Sequence, residues 1–391
     1  MQDIENTVQL EAENVINFVR ELYQEPEQSI YLHEPRFFGN EKKYLNDAID
    51  STFVSSIGAY VDRFEKMMSE IAQTKYAVAV VNGTAALHIG LKLVGVEENT
   101  EVLTQPLTFI ATANAIAYEK AIPHFVDVSK DTLGLCPIAL KKRLEQIAEI
   151  KGGICYNKET GRRISACLPM HTFGLPLAID KIVELCNSYN IPVVEDAAES
   201  LGSYYKGKHT GGFGQVGTFS FNGNKTVTCG GGGAIVTNDE ELAKRAKHIT
   251  TTAKVPHIWE YSHDEIGYNY RMPNINAALA CAQLEQLEVY LTNKRVTSNS
   301  YSEFFSKSKT IKYIKENTNS KANYWLNAIQ LSSLDERNQF LKVTSSKGIM
   351  CRPIWKLLNS LEMYSACPSG PLENSKHFEN TIVNLPSSVR V

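Results

Sequence analysis

A chain of 391 residues with 43% hydrophobic and 21% charged residues is ordinary for a globular protein and long enough for two domains with separate cores. Its formal net charge of −3 and its scattered lysines leave no basic footprint, which sets nucleic acid aside as a partner. The opening residues lack a secretory pattern, no run reaches the roughly 18 apolar residues of a membrane span, and the eight cysteines show neither a Cys-x-x-Cys pair nor zinc-like spacing. A cytoplasmic protein with reduced thiols, no membrane contact and no metal is expected.

In chain order, residues 8–23 read as an amphipathic helix whose apolar face predicts docking rather than a free tail. Apolar runs at 77–81, 101–104, 124–128, 165–170, 192–195, 218–221 and 234–237 then alternate with helical patterns such as 84–94 and 179–189. That alternation predicts an α/β fold with a mostly parallel central sheet and helices on both faces. Residues 151–163 interrupt the rhythm as a hairpin insertion centred on Glu159-Thr-Gly161. One long helix over 274–305 leads into a smaller α/β domain with strands at 322–330 and 349–354 around a helix at 335–347. The expected division is a helical extension at 1–30, a large cofactor-binding domain at 31–273, and a linking helix with a small C-terminal domain at 274–391.

The chemistry gathers at the ends of these strands. Lys225 lies in Thr218-Phe-Ser-Phe-Asn-Gly-Asn-Lys225, just before Gly230 to Gly233, and a buried strand ends on acid at Val193-Val-Glu-Asp196. An amine among apolar residues suits attack on an aldehyde, and glycines nearby allow a flat ring to approach. A carboxylate such as Asp196 keeps a pyridine nitrogen protonated and makes the ring an electron sink, so the group points to pyridoxal phosphate. The turn Val81-Asn-Gly-Thr-Ala-Ala-Leu87 opens a helix, where Gly83 and Thr84 suit a phosphate, and Ser220 can add a hydroxyl. Phe109 starts a helix after a strand and could stack on the ring. His171, just past another strand, is a candidate substrate contact. Each residue alone has an ordinary structural reading as a cap, a strand serine, a core aromatic or a buried histidine. Together they fall at successive strand ends on one face.

The motifs Asn82-Gly-Thr-Ala-Ala-Leu, Thr108-Phe-Ile-Ala-Thr, Glu195-Asp-Ala-Ala-Glu-Ser, Phe219-Ser-Phe-Asn-Gly-Asn-Lys and Gly267-Tyr-Asn-Tyr-Arg-Met resemble the DegT/DnrJ/EryC1/StrS family of nucleotide-sugar aminotransferases over residues 32–386. The resemblance implies the fold-type I pyridoxal phosphate architecture and a homodimer with shared active sites. It assigns Lys225 as the Schiff-base lysine, Asp196 as partner of the pyridine nitrogen, Phe109 as the stacking aromatic, and Gly83, Thr84 and Ser220 as phosphate contacts. It also gives Asn269 to the cofactor phosphate of the neighbouring subunit. Glu199 counts among the cofactor-binding residues but departs from the pattern, standing where many relatives carry Gln or His. The insertion, the N-terminal helix and Trp259-Glu-Tyr-Ser-His-Asp-Glu-Ile-Gly267 resemble the legionaminic-acid and bacillosamine type. That subgroup implies conversion of a nucleotide-linked 2-acetamido-2,6-dideoxy-4-keto-hexose to its 4-amino sugar, with L-glutamate as donor. The alternatives are a 3-keto-sugar aminotransferase of the same family and a ligand-sensing regulatory protein that keeps the cofactor site. A dehydratase would need histidine in place of Lys225, and a Rossmann dehydrogenase would need a Gly-x-Gly-x-x-Gly after the first strand.

Overall fold

The computed structural model describes residues 2–390, with side chains from Val8 onward. Seven strands form the central layer: β1 (Tyr76–Val80), β2 (Glu101–Thr104), β3 (Ile122–Phe125), β4 (Ile164–Leu168), β5 (Val194–Asp196), β6 (Val216–Ser220) and β7 (Gly233–Thr237). Two ladders, β3-β2-β4 and β5-β6-β7-β1, are joined by parallel bridges from Cys167 to Val193 and from Met170 to Asp196. All strands run parallel except β7, which pairs antiparallel with both β6 and β1, so the sheet is mostly parallel as the sequence predicted, with one antiparallel strand.

The period-two alternation of strand side chains divides the core between the two faces. Val78, Val80, Val216 and Ile235 pack on the helices Gly83–Leu93 and Glu240–Thr250. Ala79, Phe219, Ala234 and Val236 pack on the other side, against the helices Ala59–Ala72 and Asn274–Leu284. The helix Gly83–Leu93 starts where it does because the Asn82 side chain accepts the Ala85 N–H at 2.7 Å, capping the first turn.

A second antiparallel sheet, ordered Lys312–Tyr313, Asn327–Gln330, Ile382–Leu385, Arg352–Pro353, carries the helix Leu334–Ser346. The N-terminal helix Gln2–Tyr23 docks here: Val8, Ala12, Val15, Ile16 and Val19 share one apolar cluster with Phe340, Ile382, Val383 and Leu385. The strand predicted over 322–330 is confined to Asn327–Gln330, and that over 349–354 to Arg352–Pro353. The single helix predicted over 274–305 is two, Asn274–Leu284 and Leu287–Phe305.

The insertion makes its tight reversal at Gly152 and Gly153, both at positive φ, between the paired strands Ala148–Lys151 and Ile154–Asn157. The predicted centre at Glu159 to Gly161 is a second turn, in which the Gly161 N–H donates to the Asn157 carbonyl. This turn is anchored on fully buried Glu101, which accepts from Thr160 Oγ1 at 2.6 Å and Asn157 Nδ2 at 2.8 Å and lies 2.8 Å from His124 Nδ1.

Among the described residues no helix is long and apolar enough to cross a membrane.

Candidate active site

The carboxyl-terminal ends of β5 and β6 and the start of helix Gly83–Leu93 meet at a cavity of about 380 Å³, within the range of small-molecule sites. Gly83, Thr84, Phe109, Asp196, Glu199, Ser220 and Lys225 all line it. Wider grooves elsewhere on the surface bring none of these groups together.

Asp196 ends β5 almost fully buried, and it accepts from Thr112 Oγ1 at 2.8 Å and from the Ala198 N–H at 3.2 Å. Burial pushes its carboxyl above the ordinary value, with those two bonds and the charge of Lys225 opposing. Lys225 sits on the turn after β6, its Nζ 3.4 Å from Glu199 Oε1 and 4.0 Å from the centre of the Trp325 ring. The other Glu199 oxygen accepts the Phe173 N–H at 2.9 Å. Burial raises the Glu199 carboxyl to about 7 against the pull of Lys225.

The phosphate end is built from backbone. The N–H groups of Gly83 and Thr84 carry no hydrogen bond among the described residues and lie at a helix N-terminus, the electropositive end. A Cβ at Gly83 would come within 2.7 Å of Ser220 Cβ, so glycine brings that turn against the serine. The later glycines act differently from the expectation of close approach to a ring: a Cβ at Gly233 would meet the Asn82 carbonyl at 2.3 Å, and one at Gly232 the Cys229 sulfur at 2.4 Å. They let β7 pass the phosphate turn. Phe109 caps the helix Ile110–Tyr118 and is half exposed at the cavity mouth.

Two expected residues stand apart. The His171 ring is fully buried and turned away from the cavity: Nδ1 accepts the Leu177 N–H at 3.3 Å, and Nε2 lies 3.1 Å from Glu195 Oε2. Strand residues alternate sides, and Glu195 faces the back of β5 while Asp196 faces the site. In this structure His171 backs the site and does not line it. Asn269 is exposed, bridges Thr251, and does not line the cavity of its own chain. Thr112, Trp325 and Trp355 line the cavity but were not singled out from the sequence. Thr112 could have been found by helical spacing, three residues after Phe109. Trp325 arrives from the segment just before the strand Asn327–Gln330 of the second sheet and left no local signal.

The donor set fits pyridoxal phosphate: free N–H groups and a serine for the phosphate, a buried carboxylate with few protein bonds for the ring nitrogen, and an amine for the aldehyde. The DegT/DnrJ/EryC1/StrS aminotransferase model matches residues 37–391. The chain belongs to that family. Its members use pyridoxal phosphate, and the chain is a sugar aminotransferase dependent on it.

It is 37% identical over 337 residues to the putative pyridoxal phosphate-dependent aminotransferase EpsN of Bacillus subtilis, covering 86% of this chain and 84% of that protein. It is also 37% identical over 336 residues to the GDP-perosamine synthase of Escherichia coli O157:H7, covering 86% and 87%. A DegT/DnrJ/EryC1/StrS aminotransferase from Brucella abortus superposes with a TM-score of 0.80 at 26% identity, covering 89% of this chain and 90% of that one. The fold is the mixed α/β fold-type I. These relatives are not specifically of the legionaminic-acid or bacillosamine type that the insertion and N-terminal helix suggested.

Proposed function

We propose that the protein transfers the amino group of L-glutamate to C4 of a nucleotide-linked 6-deoxy-4-keto-hexose. The observation that carries this is the convergence of Lys225, Asp196 and the Gly83 to Thr84 helix start on one cavity, in a chain akin to EpsN and to a GDP-perosamine synthase.

When bound, pyridoxal phosphate supplies an electron sink that acidifies the C–H bond beside the transferred nitrogen. Gly83, Thr84 and Ser220 would hold its phosphate, Asp196 its ring nitrogen, and Phe109 one ring face. Lys225 Nζ takes the Cα proton of glutamate in the first half of the cycle. In the second half it delivers a proton to C4 of the sugar, so one base serves both halves. Glu199, itself held by the Phe173 N–H, braces the amine from behind.

A 2-acetamido-2,6-dideoxy-4-keto-hexose follows from the motif resemblance, whereas kinship with a GDP-perosamine synthase favours a GDP-linked sugar without the acetamido group. Incubating holoenzyme and glutamate with both 4-keto sugars and a 3-keto sugar, and reading amino-sugar nucleotides by mass, separates these readings. Amination of a 4-keto substrate is expected. Amination of the 3-keto sugar alone, or of none, would reject the proposal, and the last result would favour a sensor.

We propose further that the enzyme is a homodimer in which the exposed Asn269 serves the partner's cofactor phosphate. A heterodimer of a Lys225→Ala chain with an Asn269→Ala chain should then contain one intact site. It should exceed the activity of both parent homodimers. Activity no higher than their average, or a monomer by sedimentation, would defeat this assignment.

A further inference from the structure

The segment Asn323-Tyr-Trp325 precedes the strand Asn327–Gln330 of the second sheet, yet Asn323 and Trp325 are fastened to the segments around the site that follow β5 and β6. Asn323 Nδ2 donates to the carbonyls of Glu199 and Leu201, both at 2.9 Å, and its Oδ1 accepts the Trp325 N–H at 2.8 Å. A Cβ on Gly174 would come within 1.8 Å of that Oδ1, so glycine is required opposite it. Tyr324 adopts φ 48°, a left-handed conformation costly for an aromatic residue. It is held there from below: the buried Lys294 Nζ donates to the Trp325 carbonyl at 3.2 Å and the Ser387 carbonyl at 2.7 Å, and Arg295 stacks on the Tyr324 ring at 4.9 Å.

The effect of this bracing is to aim one side chain. Trp325 Nε1 donates to the Asn224 carbonyl at 2.6 Å, and the indole centre lies 4.0 Å from Lys225 Nζ. On its other side the amine lies 3.4 Å from Glu199 Oε1. Ordering a lysine side chain costs rotamer entropy, and a desolvated cation over tryptophan offsets a comparable amount.

We infer that Trp325 is a positioning residue for Lys225: its indole and the Glu199 carboxylate form a holding site for the free amine during the steps in which the lysine moves protons rather than bonding the cofactor. The bond from Trp325 Nε1 to Asn224 fixes the backbone next to the lysine, and the ring fixes its tip. The amine therefore stays in the cavity when it is released. The catalytic consequence rests on the aminotransferase reading above, whereas the holding site itself does not.

Full-length apoprotein whose lysines are reductively methylated with ¹³C-formaldehyde tests the holding site. The Lys225 resonance is identified by its loss in Lys225→Arg. The ring current of Trp325 should displace that resonance upfield of the exposed lysines, Trp325→Leu should return it to the exposed position, and Trp325→Phe should keep part of the displacement. In the holoenzyme, Trp325→Leu should lower kcat roughly tenfold while the KM for glutamate changes less than about threefold, with Trp325→Phe restoring most of the loss. An undisplaced wild-type resonance, or one that Trp325→Leu or Trp325→Phe leaves unmoved, would overturn the holding site even in an enzyme that aminates sugars. A displaced resonance in a protein that aminates nothing would uphold the site and reject the proposed reaction instead.

Discussion

Glu195 and Asp196 are neighbours on one strand and both are buried, yet they titrate in opposite directions. Burial opposes ionisation of Glu195, but contacts from His171 and the N–H groups of Gly214 and Gly211 outweigh it and hold the carboxyl below its ordinary value. Asp196 faces the cavity with two bonds, and burial leaves its carboxyl raised. Glu101, under the insertion, behaves like Glu195: burial is outweighed by His124, Asn157 and Thr160, and its carboxyl is held low. Carboxylates that hold the fold are satisfied by the chain itself. Those at the site keep acceptor capacity for a cationic ligand, at some expense in stability.

The largest test of that contrast is chemical. Lys225→Ala should lower turnover by roughly 10⁴-fold and remove the yellow colour of the holoenzyme, with the urea midpoint unchanged. Retained borohydride-reducible cofactor on the variant would break the assignment. Asp196→Asn should keep the cofactor but lose roughly 10³-fold in turnover; wild-type rates would place Asp196 with the structural acids.

On the back of the strand the effect should be stability. Glu195→Gln should cost about 3 kcal/mol in urea unfolding at pH 7, as for a broken buried pair. A depressed folded value stabilises above the unfolded value, near the ordinary 4.5, and that gain disappears as pH falls through the folded value. The difference between wild type and variant should therefore shrink below that pH. Glu199→Gln should show the reverse sign. A folded carboxyl at about 7 against an ordinary 4.5 makes wild type lose stability as pH rises between those values. The variant should then be the more stable by about 3 kcal/mol at pH 8 and nearly equal at pH 4. A constant offset across that range would show that Glu199 does not titrate there. The smallest expected effect is at the insertion: Thr160→Val removes one bond to Glu101 and should cost about 1 kcal/mol with turnover unchanged.

Much of this contrast was legible in the sequence, and the reasons it was not entirely so are physical. Lys225, Asp196, Gly83, Thr84, Phe109 and Ser220 could be placed because a strand end or helix start carries its side chain with it, and those elements were recognisable. His171 was misplaced because proximity to a strand end does not say which side of the sheet a side chain takes. Trp325 was invisible as a site residue because its position depends on packing against Asn224 and Lys225, about a hundred residues away in sequence. The break at Glu285 and Gln286 has no proline or glycine to announce it. In the insertion, Gly152-Gly153 is itself a strong two-residue turn signal, and Glu159-Thr-Gly161 drew attention from it.

The docking of the N-terminal helix sets an order of events at the ribosome. Its buried face completes a core with Ile382, Val383 and Leu385, which leave the ribosome about 360 residues after Tyr23, or some 20 to 70 s later at usual synthesis rates. For that interval Val8, Val15, Ile16 and Val19 lack the last strand of their final shelter. This helix reaches solvent long before the strand that covers it, and a chaperone meeting this nascent chain would find its apolar stripe still open.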